Sequence, residues 1–298
     1  MLTILHGSDL HFGKRFDARI AEVFRDAVRT LMPDLLVLSG DFTQRAKVRE
    51  YREARAFLKS LPDIPLVVTP GNHDVPLYRI WERLFAPLKN YRAFISPELD
   101  TATTIPGVTA VALNTTAPLR AIVNGRLRDR QLLFAAEAFG RAQEGDLRVV
   151  VLHHHLAPAP DYESDQVLSG FQRALDAFSK MRVDLILGGH LHRSYVANSV
   201  DTYPGKEGEP GIVIAHAGTT TSRRGRARER NKNSFNLIGV AEDHMVITHR
   251  VYLEREGGFE PVSAHALPRR PRDFLRKDPL RGVLSVLEAD LVREGEGR

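Results

Sequence analysis

Two hydrophobic patterns alternate along most of the chain. Short runs of aliphatic and β-branched residues, each bounded by turn residues, predict buried strands, and longer stretches with apolar residues three and four positions apart predict amphipathic helices. The strands are expected at residues 3–8, 34–40, 65–71, 108–113, 147–153 and 183–187, and the helices at residues 17–31, 48–61, 129–139 and 166–181. Strands that alternate with helices in this way are typical of a layered α/β fold.

Three later apolar runs break this alternation. They lie at residues 211–217, 234–241 and 244–252 and follow one another without a helix between them. Consecutive strands of this kind predict an antiparallel continuation of the core.

Two segments are less regular. Residues 76–100 predict an irregular, partly helical stretch with five aromatic residues, which we expect in the core or in a lid rather than stacked on a substrate: Tyr78, Trp81, Phe85, Tyr91 and Phe94. From Pro268 onward, Pro, Arg and Gly accumulate around one short apolar helix at residues 280–292. We therefore expect a main domain at residues 1–255 and a peripheral C-terminal extension at residues 256–298.

The composition is that of a globular protein: 298 residues, 43% hydrophobic and 27% charged, with no cysteine. Any metal must therefore be held by oxygen and imidazole nitrogen. No signal-peptide pattern and no membrane-spanning stretch is evident, so we expect a cytoplasmic monomer or homodimer. The net charge of +5 favours anionic partners such as nucleotides, phospholipid headgroups or nucleic acid. A basic surface without such a partner is the alternative.

Polar residues fall directly after the predicted strands, where parallel strands of a sheet end at one edge. They are Asp9, His11, Asp41, Asn72, His73, Asp74, His153, His190 and His192. Carboxylate, amide and imidazole groups at the ends of buried strands are costly unless a partner satisfies them, and a divalent metal ion is a suitable partner. The set is large enough for two ions, and such a pair can activate a hydroxide and clamp the oxygens of a phosphoryl group.

These motifs differ in how specific they are. Asp9-x-His11 and Gly40-Asp41 also occur as ordinary turns, whereas Gly71-Asn72-His73-Asp74 and Gly189-His190-Leu191-His192 are more specific. The run from His153 to His155 could be a polar strand end, but three imidazoles there are hard to explain without a ligand role. The motifs carry weight together and in this order.

In that order the motifs resemble the calcineurin-like metallophosphoesterase superfamily, over residues 3 to about 195. The resemblance implies an α/β fold, a four-layer α/β/β/α sandwich, with residues 1–255 as the catalytic domain. It further implies two divalent metal ions, with Mn, Fe or Zn as the expected metals. One ion would be held by Asp9, His11, Asp41 and His192, and the other by Asp41, Asn72, His153 and His190. His154 is the alternative to His153, because the proline usual after this motif is replaced by His155.

The resemblance also implies a mechanism, in which a hydroxide bridging the metals attacks phosphorus. His73 would contact the phosphoryl oxygens and protonate the leaving group, with Asn72 and His154 also binding substrate. Asp74 would orient the His73 imidazole and raise its pKa, or would cap the helix that follows; both roles are compatible.

Within the superfamily, the stretch from Ser8 to Gly13 and the Gly-His-Leu-His motif look most like bacterial class III cyclic-nucleotide phosphodiesterases and glycerophosphodiesterases. We therefore predict a phosphodiesterase acting on a nucleotide or a glycerophosphodiester. A DNA or RNA nuclease and a non-catalytic binding scaffold are the alternatives. The arginine-rich residues 219–230 could capture an anionic substrate or form a solvated loop, and the basic residues 269–277 are expected to be solvated.

Overall fold

The computed structural model describes residues 2–119, 123–159, 167–203, 211–226 and 229–269. The described residues form twelve strands: β1 (Leu2–Gly7), β2 (Leu35–Leu38), β3 (Leu66–Val68), β4 (Thr101–Ile105), β5 (Val108–Ala112), β6 (Leu147–Val151), β7 (Leu185–Gly188), β8 (Tyr195–Asn198), β9 (Val213–His216), β10 (Ser234–Val240), β11 (His244–Leu253) and β12 (Gly258–Pro268). They also form seven α-helices: α1 (Ala18–Leu31), α2 (Val48–Ser60), α3 (Ile80–Phe85), α4 (Lys89–Phe94), α5 (Asp129–Gly140), α6 (Phe171–Lys180) and α7 (Ser199–Thr202).

The described strands form two six-stranded mixed sheets. The first has the order β12-β11-β10-β1-β2-β3, and the second has the order β4-β5-β6-β7-β9-β8. In the first sheet β1, β2 and β3 are parallel, while β10, β11 and β12 continue it in antiparallel fashion. In the second sheet β5, β6, β7 and β9 are parallel, with antiparallel strands at both edges.

Three hydrophobic cores separate four layers. The alternation of side chains along each strand sends Ile4 of β1 into the core between the two sheets and Leu5 into the core beneath the first helical layer. Phe24 of α1 packs in that outer core, and Phe178 of α6 packs in the corresponding core on the second sheet. This arrangement confirms the predicted α/β/β/α sandwich.

The late strands are only partly as predicted. β10 and β11 form the antiparallel continuation that the sequence indicates. The prediction is wrong for β9, which lies in the second sheet, where it is parallel to β7 and antiparallel to β8. The strand β8 and the short helix α7 supply the crossover, and neither has a long enough apolar run to be recognised from the sequence.

The irregular segment at residues 76–100 contains α3 and α4. Tyr91 of α4 is fully buried and Phe94 packs against the same core, as predicted. Tyr78, Trp81 and Phe85 lie outside the core, because their side chains are 70%, 74% and 79% exposed. The core alternative is therefore wrong for these three residues, and the lid alternative stays a prediction.

The C-terminal part begins with an edge strand. β12 pairs with β11 along most of its length, so residues 258–268 complete the first sheet. The division of the chain at residue 255 stays a prediction, and the expected helix at 280–292 lies outside the described residues. Among the described residues, no helix combines the length and the apolar composition needed to cross a membrane.

Candidate metal centre

Loops from both sheets meet at one edge of the sandwich. Asp9 and His11 follow β1, Asp41 follows β2, and Asn72 begins a 3₁₀ turn after β3. From the second sheet, His153 follows β6, and His190 and His192 follow β7. The structure thus brings all seven residues of the predicted ligand set to the carboxyl ends of parallel strands.

The backbone of these loops is strained in a way that aims the side chains inward. Five of the residues have left-handed backbone conformations, with φ angles of 55° at Asp9, 50° at His11, 54° at Asp41, 71° at His190 and 56° at His192. Residues with a Cβ atom seldom adopt these angles, and such strain persists mainly at functional sites.

The first group of facing atoms comes from Asp9, His11, Asp41 and His192. Their potential ligand atoms all lie within 4.8 Å of one another, and all four residues are buried. His11 Nε2 lies 3.4 Å from Asp9 Oδ1 and 3.6 Å from Asp41 Oδ2. His192 Nε2 lies 3.1 Å from Asp9 Oδ1 and 3.1 Å from His11 Nε2. Two carboxylates and two imidazoles therefore converge on one point.

A second group shares Asp41 with the first. Asp41 Oδ2 lies 3.4 Å from His153 Nε2. The side-chain oxygen of Asn72 lies 3.2 Å from His153 Nε2 and 2.9 Å from His190 Nδ1. The same oxygen atom of Asp41 consequently faces both groups.

Hydrogen bonds hold the outer atom of several of these side chains. His153 Nδ1 donates to the Ser39 carbonyl at 2.8 Å, and His192 Nδ1 donates to the Arg224 carbonyl at 3.0 Å, so each ring presents Nε2 to the centre. The Ser8 hydroxyl donates to Asp9 Oδ2 at 2.7 Å, and the His73 amide donates to Asp41 Oδ1 at 2.8 Å. Such outer contacts are typical of metal ligands.

The inner carboxylate oxygens test whether a cation fits. Within the described part of the chain, Asp9 Oδ1 and Asp41 Oδ2 are buried and accept no hydrogen bond. A buried carboxylate oxygen without a donor is unfavourable, and a divalent cation satisfies it. The donor set of oxygen and imidazole nitrogen also suits Mn, Fe or Zn.

The electrostatics of the site agree with this fit. Burial lowers the pKa of His11 to about 4 and holds the pKa of His190 well below its ordinary value, so both rings are neutral at pH 7. Burial opposes protonation of His153 as well, but the Asp41 carboxylate raises the pKa of His153 to about 9. The Asp41 carboxylate therefore favours positive charge at this position, which a bound cation would also supply.

His73 and Asp74 do not contact each other as predicted. The Asp74 carboxylate accepts hydrogen bonds from the amides of Gly71, Phe42 and Thr43, at 3.0, 3.2 and 3.0 Å, and from the Thr43 hydroxyl. The prediction that Asp74 orients the His73 ring is therefore wrong, because its oxygens tie two loops together instead. The alternative role of Asp74, as a capping residue, agrees better with the structure. Its carboxylate accepts a hydrogen bond from the Gly71 amide at the start of the 3₁₀ turn.

The His73 ring is held by other groups. Its Nδ1 atom donates to the Gln44 carbonyl at 3.0 Å, and its Nε2 atom lies 3.3 Å from an Arg224 guanidinium nitrogen. Burial holds the pKa of His73 below its ordinary value, and the Arg224 charge acts in the same direction. The expected rise in the pKa of His73 is thus not present.

The three consecutive histidines separate in space. His153 faces Asp41 and Asn72, whereas His154 is fully buried with its Nδ1 atom 2.7 Å from the Thr115 hydroxyl. The contact of His154 with substrate stays a prediction. His155 is also buried, and its ring stacks on that of His190.

A cavity of about 370 Å³ opens over the centre. Its lining combines site residues with a basic and apolar rim: Asp41, Gln44, Arg45, Asn72, His73, Val75, Leu77, Val123, His190, His192, Arg224 and Arg226.

The arginine-rich loop contributes a residue that sequence reasoning did not single out. Arg223 points away from the cavity and forms two hydrogen bonds to Asp17, at 3.0 and 2.9 Å. Its neighbour Arg224 turns inward and reaches His73. The sequence located the loop, but only the pairing with Asp17 distinguishes one arginine from the next.

Comparison with known proteins agrees with this arrangement. The model of the calcineurin-like phosphoesterase family matches residues 2–194. A probable cyclic nucleotide phosphodiesterase from Synechococcus is 28% identical over 180 residues, which cover 60% of this chain and 65% of the relative. A cAMP/cGMP dual specificity phosphodiesterase from Mycobacterium tuberculosis is 28% identical over 293 residues, which cover 90% of this chain and 84% of the relative.

A solved structure shows the same fold. The purple acid phosphatase from yellow lupin seeds superposes with a TM-score of 0.70 at 13% identity, covering 92% of this chain and 55% of the lupin chain. With the family match over residues 2–194 and the buried Asp and His cluster, the chain belongs to the calcineurin-like phosphoesterase family.

Proposed function

We propose that this protein is a dinuclear metal-dependent phosphodiesterase. One cation is held by Asp9, His11, Asp41 and His192, and the other by Asp41, Asn72, His153 and His190. The observation that carries the proposal is the position of Asp41 Oδ2, which lies 3.6 Å from His11 Nε2 and 3.4 Å from His153 Nε2. An oxygen that faces both groups and accepts no hydrogen bond within the described residues is suited to bridge two cations.

The two cations, when bound, supply an activated water and compensate the negative charge that develops on the phosphoryl group. The protein supplies position and a proton. Arg224 is placed to bind phosphoryl oxygens beside His73, since its guanidinium lies 3.3 Å from His73 Nε2. The Gln44 carbonyl accepts the Nδ1 proton and fixes the ring, so that Nε2 is the atom that faces the departing oxygen. Nε2 can deliver a proton only after the ring has taken one up from solvent, which the negative charge of a bound phosphoryl group would favour.

The names of two relatives support a substrate class. The Synechococcus and Mycobacterium tuberculosis relatives are named as cyclic nucleotide phosphodiesterases, and each is 28% identical to this chain. We propose a phosphodiester, with cyclic nucleotides first and glycerophosphodiesters second. The cytoplasmic location and the choice between monomer and homodimer stay predictions.

A second candidate function is a DNA or RNA nuclease. A second cavity next to the metal centre is strongly basic, with Lys14, Arg15, Arg45, Lys47, Arg49 and Arg224 in its lining. A groove of this charge suits a polyanionic backbone. A nuclease would bind nucleic acid with an affinity that falls steeply as the salt concentration rises. An enzyme that hydrolyses a small diester would show no such binding.

The test compares bis(p-nitrophenyl) phosphate with p-nitrophenyl phosphate, using metal-stripped protein to which manganese is added back. Metal content is measured by plasma mass spectrometry in the wild type and in Asp41→Ala. Manganese-dependent cleavage of the diester, about two metal ions per chain and loss of both in the variant are expected. Full activity in Asp41→Ala would overturn the dinuclear assignment, and cleavage of the monoester alone would overturn the diester preference.

A further inference from the structure

One side of the metal cavity is bordered by an exposed apolar surface. Six large apolar residues between residues 77 and 85 are exposed, and we call them the apolar edge: Leu77, Tyr78, Ile80, Trp81, Leu84 and Phe85. Trp81 and Phe85 are 74% and 79% exposed, and their rings stack with centroids 6.0 Å apart. Apolar groups clustered in this way mark an interaction surface rather than scattered surface residues.

Packing against the described residues does not bury these side chains. The helix α3 has six residues and buries none of them, and a helix of that length is not stable alone. Polar contacts to the backbone hold the segment instead. Arg79 donates to the carbonyls of Arg45 and Ala46 at 3.2 and 2.8 Å, and Arg83 donates to the Leu77 carbonyl at 3.0 Å. Across the ranges that the structure describes, the apolar side chains remain exposed.

Two cavities near the apolar edge are lined by positively charged side chains. One is the basic cavity of Lys14, Arg15, Arg45, Lys47, Arg49 and Arg224, and the Arg45 guanidinium lies over the Tyr78 ring at 4.7 Å. Four further exposed cations line a cavity next to α4, which follows α3 in the chain: Lys89, Arg92, Arg128 and Arg130. The acid on α3, Glu82, is paired with Arg79 at 2.8 Å.

Aromatic and aliphatic side chains flanked by Lys and Arg are the composition of a membrane-interface contact. Trp and Tyr favour the headgroup level, aliphatic side chains enter the acyl region, and the cations bind anionic headgroups. Single-stranded nucleic acid would use the aromatic rings but gains no stacking from Leu77, Ile80 and Leu84. A second copy of this chain would bring the same positive charges together.

We propose that the apolar edge docks the protein on an anionic lipid surface. Because Leu77 belongs to the apolar edge and also lines the metal cavity, docking would hold the mouth of that cavity close to the lipid headgroups. The proposal goes beyond the phosphodiesterase function, and binding can be measured without turnover.

The sequence provides a direct probe, since Trp81 is the only tryptophan of the chain. We would add vesicles of phosphatidylcholine, with or without phosphatidylglycerol, to the full chain, then record Trp81 fluorescence and co-sedimentation. Anionic vesicles should shift the emission to shorter wavelength and sediment the protein, and neutral vesicles should do so much less. Higher salt should weaken the binding.

Two variants separate docking from folding and catalysis. Phe85→Glu should weaken vesicle binding by about tenfold or more, because a large apolar contact is replaced by a charge of the wrong sign. Val262→Glu is the matched control, since Val262 is 51% exposed on β12 at the far edge of the first sheet. Both variants should cleave bis(p-nitrophenyl) phosphate as the wild type does, which shows that both are folded.

Three results would overturn the proposal. One is the absence of any vesicle response by fluorescence and sedimentation. Another is a dimer of the wild type that Phe85→Glu converts to monomer in the absence of lipid. The third is a Trp81 response to a single-stranded oligonucleotide but not to anionic vesicles. None of these results bears on the metal-dependent hydrolysis, so failure of docking and failure of the proposed function remain distinguishable.

Discussion

The metal centre and the apolar edge lie side by side but are held in opposite ways. In the centre, Asp9 and Asp41 each use one carboxylate oxygen for the fold and turn the other inward. At the apolar edge, the backbone is fixed by a few arginine contacts, and within the described residues none of the side chains of α3 is buried. Substitution of Asp9 or Asp41 should therefore change both the fold and the chemistry. Substitutions at the border of the cavity should change one property without the other.

The largest effect should come from Asp41. Asp41→Ala removes the oxygen that faces both groups of ligands and also the acceptor of the His73 amide. We expect diester hydrolysis to fall by at least about a thousandfold, together with loss of bound metal. Turnover and metal content measured on the same sample check this. Retention of two metals with low activity would show that Asp41 is not the bridge.

The next effect tests whether chemistry can be separated from metal binding inside the centre. His73→Ala removes a ring that is held through the Gln44 carbonyl, so metal content should be unchanged. Turnover should fall by roughly 10²-fold or more when the leaving group is an alkoxide, and by much less for p-nitrophenolate, which leaves without a proton. An equal loss with both leaving groups would point to a binding role for His73 instead of proton donation.

Substitution of Asp74 should lower the stability of the fold more than it affects the chemistry. Asp74→Ala leaves three buried amide donors without their acceptor and removes one of the two acceptors that face the Thr43 hydroxyl. We expect the free energy of unfolding of the metal-free protein to fall by roughly 3 kcal/mol, measured by urea denaturation. Asp26→Ala is the control, because its carboxylate is 64% exposed, and it should change stability by less than about 0.5 kcal/mol. Unchanged stability with lower turnover would favour the catalytic role predicted from the sequence.

What the sequence could predict depended on local patterns. Apolar strands that end in Asp, Asn or His indicate both the sheet edges and the residues that meet there, because parallel strands end together. The partner of Asp74 and the sheet to which β9 belongs depend on contacts between distant segments, which no local pattern contains. The choice between core and lid for Trp81 was open for a related reason, since whether an aromatic side chain is buried depends on which distant segments cover it.

The smallest effect separates two neighbouring arginines of the same loop. Arg224 contacts His73 at the cavity, while Arg223 is bonded to Asp17 on the outside. Arg224→Ala should raise the KM for the diester by about tenfold, as expected when a charged hydrogen bond to a phosphoryl oxygen is lost. Arg223→Ala should change KM by less than about twofold, because an exposed ion pair contributes little. Both variants lose one positive charge, so a difference between them cannot arise from net charge.

Equal effects of the two substitutions would mean that the loop acts only through its overall charge. The arginine-rich residues 219–230 would then form a solvated basic loop, and Arg224 would not be a specific contact to the phosphoryl group.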